Sequence, residues 1–333
     1  MAVVGSLVST LSDIAKGAGT SAGNARVIEI LNQQNEMLED IPWMECNDGT
    51  GHKTVIRTGI PFGTWRMLYQ GVQPSKTTKA QVRDTVGMLE NYSEPDKALV
   101  DLAPDPGEFR LGEAKGILEG MNQQVQQALI YGNQNVVPQM FTGFAPRYNA
   151  LSGVGTSENV IDAGGTGADN TSIWLVCWGE DYAFGLYPKG IPGGVQHEDR
   201  GRDTIQLADG SRYEAYRDHF RWGCGLCIRD WRYIVRIANI DVSDLSSDVN
   251  KLKALVSLMI QAQEKLRTTS GKRAWYMSRN TASKLRLAIL EKIGFQLSWE
   301  TVAGKKVLMF DGDPVRRVEQ MLNTEAAVPA IAA

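Results

Sequence analysis

Apolar residues recur at three- and four-residue steps from Asp105 onward, and this period is typical of an amphipathic helix. Asp105 and Pro106 form a strong helix start, with Glu108 completing a capping box. Gly132, expected in a left-handed conformation, and Pro138 predict the end. The pattern predicts a spine helix of roughly 25 residues, nearly 40 Å long at about 1.5 Å per residue. Its apolar stripe, which is expected to be buried, contains Leu111, Ala114, Ile117, Leu118, Met121, Val125, Ala128 and Leu129.

Three glycines lie on the opposite side of this helix. Gly112, Gly116 and Gly120 fall at every fourth residue, which places them in one line away from the apolar stripe. Each one costs about 1 kcal/mol relative to alanine in a helix interior. We interpret the line as a surface that another backbone approaches closely. A weakly formed first half of the helix is the alternative.

The segment 46–93 shows no helical period and predicts long strands. HKTVIRT (52–58) and GTWRMLYQGV (63–72) are expected to pair through a hairpin loop, and AQVRDTVGMLENY (80–92) is expected to form a third strand. A ribbon of two or three strands is marginally stable alone. It must therefore lie on the body of the protein or on a neighbouring chain. The apolar residues expected to make that contact are Phe62, Trp65, Met67 and Tyr69.

The second half of the chain alternates strands and helices. Buried-type strands begin with IWLVCWG (173–179), a D-G turn joins two later strands, and a strong helix is expected over 248–267. The stretch GIPGGVQHEDRGRD (190–203) is expected to be a flexible loop. Together with the spine helix, this pattern predicts an α+β fold around a mixed sheet.

Composition narrows the classes of function. Of 333 residues, 43% are hydrophobic and 22% are charged, which is usual for a soluble globular chain. The net charge of -3 argues against a protein dedicated to nucleic acid through net charge. No apolar run is long enough to span a membrane, and the N-terminus lacks the basic start of a signal peptide, so we expect a cytoplasmic chain. Three histidines are few for catalysis or metal binding.

Cys224 and Cys227 form a C-x-x-C spacing. A zinc site would need further ligands, and the strand-like surroundings do not suit a thioredoxin-type helix start. We interpret both as packing residues, and a soluble enzyme with thiol chemistry is the alternative. Ser211, Asp218 and His219 lack the elbow motif of a hydrolase. No catalytic, cofactor or metal site is expected.

Seven basic residues follow one another without an intervening acid. Such a stretch is compatible with a nucleic-acid-binding strip. It is also compatible with a solvated face, or with salt bridges to the acidic residues of 180–203 on a neighbouring chain. Its members are Lys265, Arg267, Lys272, Arg273, Arg279, Lys284 and Arg286.

Several segments resemble one protein family. They are IPFGTWRMLYQGVQPSKTTKAQV (60–82), NYSEPDKALVD (91–101), LIYGNQNVVPQMFTGFAPRYN (129–149), FRWGCGLCIRDWRYIVRIANID (220–241), AWYMSRNTASKL (274–285) and DGDPVRRVEQMLNTEAAV (311–328). In these stretches the chain is similar to the major capsid proteins of tailed double-stranded DNA bacteriophages with the HK97-type fold, and most closely to those of short-tailed phages of the epsilon15 type. The resemblance runs over most of the chain, from about residue 39 to 328.

This resemblance implies a subunit that self-assembles, through a procapsid, into hexamers and pentamers of an icosahedral shell around packaged double-stranded DNA. It implies an N-terminal arm (1–45), an extended loop (46–95), a peripheral domain with the spine helix (96–150), to which 300–325 returns, and an axial domain (151–299). Scaffolding protein, portal and a decoration protein are expected partners, and a membrane is not. Assembly is expected in the host bacterial cytoplasm, with the product in the virion capsid. An encapsulin-like shell around a protein cargo is the alternative within the fold.

Overall fold

The computed structural model describes residues 36–49, 51–59, 61–247, 249–266, 271–290, 297–302 and 305–330. The chain divides into two compact units, each made of separate stretches of sequence. The described parts of the smaller unit are Met88–Val125 and Gly194–Gly223, and the larger unit takes in Asn35–Gly87, Gln126–Gly193 and Cys224–Ala333. Most of the expected N-terminal arm therefore lies outside the described residues.

The helices and strands are named in chain order. The α-helices are α1 (Glu36–Asp40), α2 (Lys97–Leu102), α3 (Pro106–Tyr131), α4 (Asp244–Ser247), α5 (Val249–Lys265) and α6 (Arg279–Leu290). The strands are β1 (Trp43–Glu45), β2 (Gly51–Gly59), β3 (Thr78–Ser93), β4 (Val160–Asp162), β5 (Asn170–Trp178), β6 (Ala183–Tyr187), β7 (Val195–Gln206), β8 (Arg212–Ile228), β9 (Ile234–Asp241), β10 (Lys272–Met277), β11 (Leu297–Val302), β12 (Lys305–Phe310) and β13 (Asp313–Arg317).

The larger unit is built on a mixed sheet. Its strand order is β11-β12-β13-β10-β5-β6-β8-β3-β2, with β9 beside β5, β4 beside β9 and β1 beside β6. The pair β10 and β13 is parallel, whereas the pair β10 and β5 is antiparallel. Strand β5 is buried at every position. A strand of this kind needs cover on both faces of its sheet.

That cover comes from helices on one face and aromatic side chains on the other. Leu175 of β5 belongs to an apolar cluster with Met259 of α5 and Leu285 of α6. The neighbouring Trp174 meets Phe144 at a ring-centroid distance of 5.6 Å. Because successive residues of a strand point to opposite faces, one strand supplies both layers of the core.

The smaller unit contains a long hairpin. β7 pairs antiparallel with β8 from Val195 to Gln206, with an irregularity next to Gly201. The expectation of a flexible loop over 190–203 is therefore wrong from Val195 onward. Pairing along β8 outweighs the low strand propensity of the glycine and aspartate residues in this stretch.

Helix α3 is the predicted spine helix. Oδ1 of Asp105 accepts hydrogen bonds from the amides of Gly107 and Glu108 at 2.9 and 3.1 Å, so the predicted cap is confirmed. Gly132 follows the last helical residue, but its backbone is not left-handed, and that expectation is wrong. A Cβ atom there would lie 2.6 Å from the carbonyl oxygen of Phe141. Close packing, and not backbone conformation, therefore requires the glycine.

The apolar stripe of the spine helix is only partly covered. Met121, Val125, Ala128 and Leu129 are buried, whereas Leu111 and Leu118 are exposed. The expectation of burial along the whole stripe is therefore wrong for the first half within this chain. Periodicity identifies the apolar face of a helix, but it does not tell how much of that face the same chain covers.

The ribbon also differs from the prediction. β2 pairs antiparallel with β3, with Gly51 opposite Thr85 and Gly59 opposite Thr78. Residues 61–77 between the two strands form no strand. The strand expected at 63–72 is therefore wrong, and the strand expected at 80–92 is confirmed as part of β3. Favourable strand residues remain in coil when they lack a pairing strand.

Candidate functional site

The tip of the ribbon, residues 61–77, is exposed at every position. Trp65 and Tyr69 have relative exposures of 101% and 105%, which means that their side chains touch almost nothing else in the chain. Phe62 and Met67 are also exposed, so the four predicted contact residues share one loop. Large exposed apolar patches mark interaction sites in soluble proteins. The sequence prediction missed Leu68, an exposed residue of the same apolar run.

The tip contains a small turn of its own. The amide of Gln70 donates to the carbonyl oxygen of Met67 at 3.2 Å, and the amide of Met67 donates to Oε1 of Gln70 at 3.3 Å. Tyr69 has a φ of 66°. This left-handed conformation is unusual for a residue that is not glycine, and strained residues of this kind cluster at functional sites. At this turn the side chain of Tyr69 is fully exposed.

The glycine line on the spine helix is open in this chain. A Cβ atom placed on Gly112, Gly116 or Gly120 would meet nothing within 4 Å. No described segment of the same chain therefore uses the close approach that these glycines permit. Contact with another chain stays a prediction.

The basic residues predicted to form one stretch are spread over α5, β10 and α6. Lys272 forms an ion pair with Asp40 at 2.7 Å, Arg273 forms one with Asp313 at 3.0 Å, and Arg279 is paired with Glu319. Arg267 lies outside the described residues. The acidic partners of these three residues are therefore within the same chain, although the side chains of Lys272 and Arg279 remain 53% and 67% exposed. The remaining members are Lys265, Lys284 and Arg286.

The C-x-x-C residues lie on β8, and both side chains are buried. Burial raises the pKa of the Cys224 thiol and of the Cys227 thiol to about 12 in each case. A catalytic cysteine needs the opposite shift, because the thiolate is the nucleophile. The environment therefore favours the interpretation of these cysteines as packing residues. Among the described residues, no group of histidine, cysteine and acidic side chains is arranged to hold a metal ion, and no helix is long and apolar enough to cross a membrane.

Comparison with known proteins identifies the family. The family model for the major capsid protein GP7 matches residues 19–329. The chain belongs to the major capsid protein GP7 family. Its structure resembles that of bacteriophage epsilon15 determined by cryo-electron microscopy and modelling, with a TM-score of 0.78, 36% sequence identity, and coverage of 98% of this chain and 99% of that chain. The α+β, HK97-type fold and the role of a bacteriophage major capsid protein that forms an icosahedral shell are thereby confirmed.

More distant solved structures include the capsid of bacteriophage JBD30 and the SrpI encapsulin complex from Synechococcus elongatus PCC 7942. The JBD30 capsid shares 10% identity at a TM-score of 0.44, over 84% of this chain and 90% of that chain. The encapsulin shares 11% identity at a TM-score of 0.44, over 69% of this chain and 96% of that chain. No curated protein matches the sequence.

Proposed function

We propose that this capsid protein builds hexamers and pentamers of a shell that encloses packaged double-stranded DNA. We also propose that the ribbon tip 61–77 contacts a neighbouring copy. The observation that supports the proposal is the exposure of Trp65 and Tyr69, which have almost no contacts of their own. Burial of an aromatic or large aliphatic side chain contributes about 1.5–3 kcal/mol. In a growing shell every subunit is surrounded by other copies at high local concentration, so a second copy supplies the surface that buries the tip.

The domain organisation belongs to the same proposal. Residues 1–45 act as an N-terminal arm and 46–95 as the extended loop. Residues 96–150 form the peripheral domain, with 300–325 returning to it, and 151–299 form the axial domain. Scaffolding protein, portal and a decoration protein are the proposed partners, and assembly takes place in the cytoplasm of the host bacterium.

The tip contact is tested by the triple variant Trp65→Ala, Met67→Ala, Tyr69→Ala. We expect a folded, soluble subunit that forms no shells, because these side chains contribute almost nothing to the subunit itself. The matched control replaces the exposed polar tip residues Thr64 and Gln73 with alanine and should assemble. Electron microscopy of purified particles gives the answer. Normal shells from the triple variant would show that the tip is not the contact.

Packaged DNA distinguishes a virion shell from an encapsulin-like compartment around protein cargo. Particles purified after external nuclease treatment should release double-stranded DNA when they are opened. Particles that hold protein cargo alone would support the encapsulin-like alternative instead.

The basic residues from Lys265 to Arg286 are proposed to contact neighbouring subunits or the interior of the shell. The support for this proposal is the exposure of Lys272 and Arg279, whose side chains remain 53% and 67% exposed although both are paired. Glutamate at both Lys265 and Lys284 reverses two charges without breaking the ion pairs that Lys272 and Arg273 of β10 form with Asp40 and Asp313. Unchanged assembly and unchanged DNA retention in that double variant would rule this surface out.

A further inference from the structure

The root of the ribbon is held by an ion pair between a buried carboxylate and a partly buried guanidinium. Asp84 lies on β3 with a side chain that is 3% exposed, and its Oδ1 accepts a hydrogen bond from Nη2 of Arg147 at 2.7 Å. The same nitrogen also donates to the carbonyl oxygens of Thr142 and Leu226, at 3.2 and 3.4 Å. One guanidinium group thus joins β3, β8 and the segment that follows the spine helix.

Close packing reinforces this point on neighbouring residues. A Cβ atom on Gly225 of β8 would lie 2.8 Å from the carbonyl oxygen of Thr85, and one on Gly87 would lie 3.1 Å from the carbonyl oxygen of Gln139. On β2, Oγ1 of Thr54 lies 3.5 Å from Sγ of Cys227. The backbone of β3 is therefore fixed on two sides where the ribbon leaves the larger unit.

Burial within the chain decreases beyond this root. Thr54 is buried and Ile56 is half-buried, whereas all of the residues 61–81 are exposed. From Thr54 to Gly59 the strand spans roughly 17 Å at about 3.3 Å per residue, so a tilt of about 10° at the root moves its far end by roughly 3 Å. A small change of angle at the root therefore produces a larger displacement at the far end of the ribbon, and the ion pair lies at the root.

We propose that Asp84 and Arg147 are positioning residues that set the direction in which the ribbon leaves the subunit, and thereby the angle between neighbouring copies in the shell. This inference rests on the proposed tip contact. The tip determines whether copies adhere, whereas the root determines the curvature at which they do so. A buried carboxylate that accepts from a guanidinium nitrogen, itself shared with two backbone carbonyl groups, suits this task, because hydrogen bonds restrict direction more than an apolar contact does.

The test compares Asp84→Asn and Arg147→Lys with Glu325→Gln in the full chain. Glu325 is a matched control because it forms a second ion pair, with Arg236, in the same unit, and its partners lie on β5, β9 and α3. Loss of either ion pair should lower the thermal midpoint of unassembled subunits by on the order of 5–10 °C. The measured quantity is the distribution of particle diameters in electron micrographs.

We expect Asp84→Asn to give shells of mixed diameter or open sheets in place of particles of one diameter. Glu325→Gln should form particles of the wild-type diameter. Arg147→Lys keeps the charge and changes the geometry, and it serves as the test if Asp84→Asn does not fold. Wild-type diameters in the Asp84 or Arg147 variants would overturn the inference, as would equal broadening in Glu325→Gln. If the triple alanine variant of the tip already assembles normally, the proposed function fails independently of this result.

Discussion

Removal of the charge of Glu325 should destabilise the subunit far more than removal of a carboxylate charge whose arginine partner is exposed. Glu325 accepts hydrogen bonds at Oε2 from Nη2 of Arg236 at 2.8 Å and from Oγ of Ser172 at 2.5 Å. Its Oε1 accepts one from the hydroxyl group of Tyr131 at 2.6 Å. The side chains of Arg236 and Glu325 are only 5% and 6% exposed. The carboxylate therefore ties the C-terminal segment to β5, β9 and the end of the spine helix.

The size of the effect follows from the burial of Arg236. Glu325→Gln preserves the shape of the side chain but leaves a guanidinium charge in the interior without a counter-charge. Breaking a buried pair in this way costs about 3–5 kcal/mol. Glu319→Gln is the matched control, since Glu319 pairs with Arg279, whose side chain is 67% exposed. A pair of that kind contributes less than about 1 kcal/mol.

Urea unfolding of unassembled subunits, followed by tryptophan fluorescence, measures both variants. The guanidinium of Arg236 lies 5.1 Å from the ring centroid of Trp174, so the probe is close to the perturbed site. Equal losses of unfolding free energy in Glu325→Gln and Glu319→Gln would refute the reasoning. The double variant Arg236→Met with Glu325→Leu should recover most of the loss, because the penalty comes from the unpaired charge.

Two further predictions use glycines and a thiol. Gly116→Ala should raise the unfolding free energy of the subunit by about 1 kcal/mol, because a Cβ there meets nothing. Gly225→Ala should lower it by about 1–3 kcal/mol, because a Cβ there meets the backbone of Thr85. If the glycine line is a close-contact surface, Gly116→Ala also lowers the yield of shells, whereas the control Lys115→Ala does not. Changes of the same sign in the unfolding free energies of Gly116→Ala and Gly225→Ala would contradict the packing described for the two glycines. Burial raises the pKa of Cys224 from 9.0 to about 12. The contribution of this thiol to the unfolding free energy is therefore fully present below pH 9 and is lost as the pH rises towards 12. Between pH 8 and pH 10.5 the unfolding free energy of the wild type should fall by about 2 kcal/mol more than that of Cys224→Ala. Chemical unfolding at each pH measures both proteins, and parallel pH profiles would contradict the prediction.

The spine helix could be predicted from sequence because its start is encoded locally. Asp105 and Pro106 fix the first turn through groups that lie within three residues of each other. The ribbon was predicted less well because strand pairing is decided by distant residues. The aromatic run 63–72 has strand-like preferences, yet β2 pairs with 78–85, on the far side of the tip. Loop length between paired strands has only a weak energetic effect, so sequence proximity is a poor guide to the partner.

The exposed tip could be found from sequence, since its aromatic residues lie in one run. The ion pairs of Asp84 with Arg147 and of Glu325 with Arg236 could not. Asp84 and Arg147 are 63 residues apart, and Arg236 and Glu325 are 89 residues apart. No period, spacing or cap relates such residues, because their charges are matched only once the sheet has formed. Isolated charged residues in a sequence are usually at the surface.

The proposed tip contact is weak when it is made only once, and this follows from the composition of the tip. Its large apolar residues are Phe62, Trp65, Met67, Leu68, Tyr69 and Val72. At about 1.5–3 kcal/mol for each buried side chain, they supply on the order of 10 kcal/mol. Association of two proteins costs about 4–15 kcal/mol in lost translational and rotational freedom, so a single contact gains little or nothing. In a closed ring each copy both gives and receives a tip, and the last contact forms without a further loss of that freedom. The proposed contact therefore predicts little association between two isolated copies and a stable closed assembly.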